Sequence, residues 1–133
     1  MRALTITTVI LSFLVNGLLF AAPSPPQQAR GIIQDTGFDG GLIVQIDCNE
    51  GELTAALGRA TDGMVQGLDT DDDQVARTRR RIRNAGLGGR VSARGFDGSK
   101  LPYADNMVNL LVATETTNVS KDEIMRVLAP LGV

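Results

Sequence analysis

The chain has 133 residues, 43% of them hydrophobic and 21% charged, with a formal net charge of −2. That composition fits one globular domain rather than a disordered chain, and its charge gives no reason to expect nucleic acid or an anionic membrane surface as partner. Histidine is absent, Cys48 is the single cysteine and aromatics make up 4%. Histidine acid–base chemistry, an intrachain disulfide, a cysteine metal cluster and a stacking platform for bases therefore drop out together, and no metal ligands are assigned.

Met1-Arg2 is followed by an apolar run from Ala3 to Phe20, then by Ala21, Ala22 and the proline-rich Pro23-Ser24-Pro25-Pro26. A basic start, an apolar middle and small residues before a turn form the signal-peptide pattern. Leu19 or Phe20 stands third before the candidate cleavage points, where a small residue is preferred. A run of about 18 residues is also near the lower limit for a membrane span. Residues 1–22 are expected to be a signal peptide or membrane anchor, with possible membrane attachment through residues 3–20 and an exported (periplasmic or extracellular) or membrane-anchored protein as the result. Residues 23–41 read as a linker holding one short basic and apolar piece, Ala29 to Ile33, and the domain proper is expected over residues 42–133.

Leu42-Ile43-Val44-Gln45-Ile46, bounded by glycines, predicts a buried strand. Glu50 to Arg59 predicts a helix, with Leu53, Ala56, Leu57 and Ala60 on one face, and Met64 to Leu68 a second strand. Thr70 is expected to cap a helix from Asp71 to Ala85, whose opening Asp71, Asp72 and Asp73 complement its dipole. Gly86 to Gly89 ends it. The arginines between Arg77 and Arg83 read as a solvated face paired within the helix to those acids. Arg90 to Arg94 predicts a weak third strand and Met107 to Ala113 a fourth. Ser120 and Glu123 have capping-box spacing for a helix running through Leu128.

Strands alternating with helices predict an α/β fold: a Rossmann-like, doubly wound, mostly parallel sheet, incomplete at about four strands and preceded by an N-terminal apolar helix. Ligands of such sheets sit at the carboxyl ends of the strands. Three places at that edge carry candidate chemistry. The turn Asp47-Cys48-Asn49-Glu50-Gly51 brings backbone close to a ligand and opens a helix N-terminus. Asp69 ends the second strand, where a carboxylate accepts hydrogen bonds from ribose hydroxyls. Asp97, after the third strand, is suited to an adenine amino group, although a turn aspartate before Gly98 is an alternative. Cys48 reads as a packing residue rather than a nucleophile.

Taken in order, these segments resemble class I S-adenosylmethionine (SAM)-dependent methyltransferases, notably their type 11 group. The family's turn carries Gly-x-Gly-x-Gly after an apolar strand; here Asp47, Asn49 and Gly51 occupy the glycine positions. Val65 to Ile82 resembles the family's second-strand segment, Phe96 to Ala113 its "LPF" segment, and Glu123 to Val133 its "RVLKPGG" segment. The resemblance spans roughly residues 42–133 and implies SAM as cofactor. It implies contacts from Asp47, Asn49, Gly51, Asp69 and Asp97, and methyl transfer to an acceptor that the sequence does not name. Such transfer works chiefly by proximity and alignment, so a missing histidine does not oppose it. No catalytic residue is assigned. Gln45 and Asn109 replace acids of the family pattern. The alternative reading is a catalytically inactive methyltransferase-like binding or structural module at the front of a larger exported protein. An NAD-type dinucleotide fold fits less well, because the glycine phase differs from G-x-G-x-x-G.

Overall fold

The structure is a computed structural model that describes residues 22–114 and 116–133. The apolar run, the cleavage point after Ala21 and the N-terminal apolar helix lie outside the described residues. In chain order the elements are α1 (Pro25–Thr36), β1 (Leu42–Ile46), α2 (Glu52–Ala60), β2 (Met64–Asp69), α3 (Asp72–Asn84), β3 (Val91–Gly95), β4 (Leu110–Val112) and α4 (Lys121–Val127). The strands form one sheet in the order β3-β2-β1-β4, and every neighbouring pair is parallel. This is the predicted Rossmann-like half sheet.

The side-chain period of a strand divides the core between the two faces. On β1, Ile43 joins Val65, Leu57, Val75, Ile82 and Val91 on one side. Val44 and Ile46 join Leu68, Leu101, Val108 and Val127 on the other. Both faces of β1 are thus covered, which is why it reads as an unbroken apolar run.

The stretch read as a linker folds instead as α1. Its prolines are helix-start residues here: Pro25 stands in the first turn, the Ser24 N–H donates to Gln27 Oε1 at 3.0 Å, and Gly37 closes the helix at φ 67°. Ala29 is fully buried, with Ile32 and Ile33 packed against the same core. The helix after β2 is capped by Asp71, whose side chain accepts the Asp73 N–H at 2.8 Å, and not by Thr70. The fourth strand is shorter than its apolar run, because Val108 makes an isolated bridge to Leu128 and the Asn109 side chain accepts the Leu42 N–H at 2.9 Å. Asn109 therefore lies at the amino ends of the strands, opposite the edge where a ligand is expected.

Ser120 caps α4 by accepting the Glu123 N–H at 3.1 Å. Glu123 does not return the capping-box bond. Its carboxylate instead accepts the Leu101 N–H at 2.8 Å and two Arg126 donors at 2.6 and 2.9 Å. Arg126 reaches on to Asp105 at 2.8 Å and to the Tyr103 carbonyl at 2.9 Å. The Arg126–Asp105 ion pair and the Leu101 N–H bond to Glu123 thereby tie α4 to the loop after β3. Arg126, with the Leu101 N–H, pulls the Glu123 carboxyl from 4.5 down to about 2. A depressed carboxylate stabilises the fold above its unfolded value and loses that contribution as pH falls through its folded value. Glu123→Gln is expected to lower stability by about 2 kcal/mol near neutral pH, the scale of charge-assisted hydrogen bonds. In denaturant titrations that difference should shrink as pH falls from 4.5 towards 2; a difference constant across that window would sink the assignment.

Candidate functional site

The carboxyl ends of β1, β2 and β3 share one edge, and the sequence-predicted residues meet there. Asp47 leaves β1 at φ 61°, Asn49 follows at φ 51° and Gly51 at φ 82°. All three positions at which the resembled family uses glycine keep the left-handed backbone, and two of them do so with side chains. Asn and Asp reach that region more readily than other residues, because their short polar side chains can bond locally.

The turn is held from three directions. The Cys48 N–H donates to the Leu68 carbonyl of β2 at 2.9 Å, and the Gly51 N–H donates back to the Cys48 carbonyl at 2.8 Å. The Thr78 hydroxyl, from α3, donates to the Asn49 carbonyl at 2.9 Å and lies 3.4 Å from Cys48 Sγ. Below the turn, the Thr54 hydroxyl donates to Gln45 Oε1 at 2.6 Å. Thr78 and Thr54 are fully buried. Sequence reasoning missed both. Thr78 stood between Arg77 and Arg79 in a segment whose only conspicuous signal was charge.

Asp69 is the centre of the edge. It is 6% exposed. Its Oδ2 accepts the Asn49 N–H at 2.9 Å and its Oδ1 accepts the Asp71 N–H at 3.0 Å. An ionised carboxylate has about four acceptor positions, so each oxygen keeps a further lone pair for a ligand hydroxyl. Phe96 docks beside it, its N–H donating to the Asp69 carbonyl at 3.2 Å, which sets Asp97 next to the end of β2. Asp97 is exposed, and its Oδ1 accepts the N–H groups of Lys100 and Ser99, both at 2.8 Å. Those bonds hold its carboxyl below the ordinary 3.8. Asp97 is therefore a turn aspartate as well as a residue of this edge; its Oδ2 has no protein partner among the described residues. Asp47 is half-buried, and burial, followed by the nearby Asp69 charge, pushes its carboxyl above 3.8.

Cys48 is buried, and burial raises its thiol above 9.0 despite the Thr78 contact. A buried, protonated thiol is a packing group and not a nucleophile. The arginine-rich helix pairs outward from itself rather than with its own acids. Arg77 meets Glu50 at 3.2 Å and Arg81 meets Glu52 at 3.7 Å, while Arg79 donates to the Ala93 carbonyl at 3.0 Å. Asp71 is occupied in capping, and the two ion pairs are exposed enough to contribute little stability. They flank a cavity of about 730 Å³ between α1, α2 and α3, lined by Arg59, Arg80 and Asn84 among others. The cavity lies on the helical flank of the sheet. The converging carboxylates and left-handed turn make the strand edge the better candidate site. Among the described residues, no group of three or more histidine, cysteine, aspartate or glutamate side chains is placed to hold a metal.

A family model described as "Methyltransferase domain" matches residues 43–132. The methyltransferase GfsG of Streptomyces halstedii is 33% identical over 92 residues, covering 68% of this chain and 33% of that protein. The chain spans between 27% and 36% of the length of the curated relatives it matches. Among solved structures, a protein from Methanococcus maripaludis assigned as an S-adenosyl-L-methionine-dependent methyltransferase superposes with a TM-score of 0.73 at 26% identity, over 82% of this chain and 52% of that one. The [4+2]-cyclase SpnF superposes with a TM-score of 0.70 at 27% identity, over 79% of this chain and 41% of that one.

Proposed function

The chain belongs to the methyltransferase-domain family, and from that premise we propose that residues 42–133 bind SAM at the carboxyl edge of the sheet as the cofactor half of a methyltransferase. The observation that carries this reading is the turn. Positions 47, 49 and 51 all keep a left-handed backbone, and the turn is bonded directly to the Asp69 carboxylate at 2.9 Å. The residues present fit the cofactor in chemical kind. Asp69 keeps acceptor capacity for two adjacent hydroxyls, Asp97 Oδ2 for an exocyclic amine, and the turn offers backbone close to a flexible amino-acid tail. Bound there, SAM would supply a transferable methyl group on a sulfonium. The residues of this chain contribute binding and orientation.

The test is isothermal titration of SAM into the protein, followed by measurement of S-adenosylhomocysteine (SAH) release. Saturable heat at millimolar SAM or below is expected. Absence of heat at millimolar SAM would overturn the reading and leave the inactive binding or structural module, which the side chains at Asp47 and Asn49 favour. The likeness to a [4+2]-cyclase makes the second measurement necessary, because binding in this fold does not by itself specify methyl transfer.

A further inference from the structure

The acid missing from strand position 45 returns two residues later, on the turn itself. Gln45 is buried and engaged with Thr54, so it supplies no charge. Asp47 supplies one. Its carboxylate is half-buried and, among the described residues, accepts no hydrogen bond and has no compensating cation, while the nearby Asp69 charge opposes its ionisation. Asp69 is itself 6% exposed. The register pairs Ile46 with Leu68, so Asp47 and Asp69 follow side by side at the carboxyl ends of β1 and β2, and among the described residues backbone N–H groups reach only Asp69. Uncompensated like charges in a partly dry site favour any ligand that brings a net positive charge.

SAM and its product SAH differ in that respect. Both carry an ammonium beside a carboxylate, which acts on a distant charge only as a dipole. SAM adds the sulfonium, so its net charge is +1 against zero for SAH. We propose that Asp47 makes this site select the cationic cofactor over its neutral product, so that the chain favours SAM and releases SAH. This rests on the reading of the edge as a SAM site. It gives the substitution at the first glycine position a role in cofactor discrimination.

The experiment measures dissociation constants of the wild type, Asp47→Asn and Asp47→Gly for three probes: SAM, sinefungin (whose amine replaces the sulfonium methyl and keeps the charge) and SAH. Asp47→Asn keeps the side-chain size, and Asp47→Gly also removes the backbone strain, so ratios between probes are read rather than absolute affinities. Either substitution is expected to weaken SAM and sinefungin relative to SAH by about fivefold, the scale of one unit-charge pair near ion-pair distance in high dielectric. Equal changes for all three probes would overturn the proposal, since Asp47 would then act on the shared ammonium or only shape the turn. If the wild type bound none of the three, the SAM-site reading itself would fail. If it bound all three with unchanged ratios in the variants, that reading would stand and only the role of Asp47 would fall.

Discussion

Gly51→Ala is expected to destabilise the protein by about 2–5 kcal/mol and to abolish cofactor binding with it. A β-carbon at this position would lie 2.7 Å from Thr78 Cγ2 and 2.9 Å from both Thr78 Cα and Oγ1. The Cα belongs to the backbone of α3, so no rotamer change relieves the contact; the helix has to move. The left-handed backbone at φ 82° adds about 1–2 kcal/mol for a residue with a side chain. Overpacking adds about 1–3 kcal/mol. Displacing Thr78 also breaks its bond to the Asn49 carbonyl, so the damage reaches the turn. Gly31→Ala is the control. Gly31 lies within α1 with nothing near its would-be β-carbon, and alanine there should stabilise the protein by about 0.5–1 kcal/mol through helix propensity. Denaturant unfolding of both variants decides the matter, and a Gly51→Ala loss below about 1 kcal/mol would contradict the packing argument.

The second large effect is expected at Asp69. Asp69→Ala leaves the Asn49 and Asp71 N–H groups without their acceptor, at roughly 1–3 kcal/mol for each donor that water does not reach. A loss near 2 kcal/mol is expected, since both bonds are only part-buried. SAM affinity should fall by about tenfold or more, because the proposed acceptor of the ribose hydroxyls goes with it. Asp69→Asn is the informative companion. It keeps the volume, yet an amide has one acceptor oxygen where two backbone donors converge. One N–H must then face an NH2, so asparagine should be no better tolerated than alanine. Unfolding curves and SAM titrations of the two variants test this; an asparagine variant with native stability and affinity would remove Asp69 from the site.

Much of this arrangement was legible from the residues. Strands alternating with helices predict the parallel sheet, and the acids at positions 69 and 97 mark its carboxyl edge as the proposed ligand side. The physical reason is that strand periodicity and turn chemistry are local. What was not legible depends on contacts between residues far apart in sequence. Thr78 grips the Asn49 carbonyl from 29 positions away, and nothing in the run of arginines points to it. The same contact explains why the third glycine alone remains: positions 47 and 49 accept left-handed side chains, whereas Gly51 lies against α3. The misread linker has a different origin. Pro25 and Pro26 signalled a break, although proline is equally a helix-start residue, and the burial of Ala29 that anchors α1 is a tertiary fact.

The proposed SAM site is the carboxyl edge of the sheet, formed by the Asp47–Gly51 turn, Asp69 and Asp97. Amide chemical shifts followed while SAM is titrated into the labelled protein test it most directly. Perturbations concentrated at residues 47–51, 69–71 and 97–100 are expected. Perturbations confined to the flank cavity around Arg59, Arg80 and Asn84, or none at millimolar SAM, would contradict it.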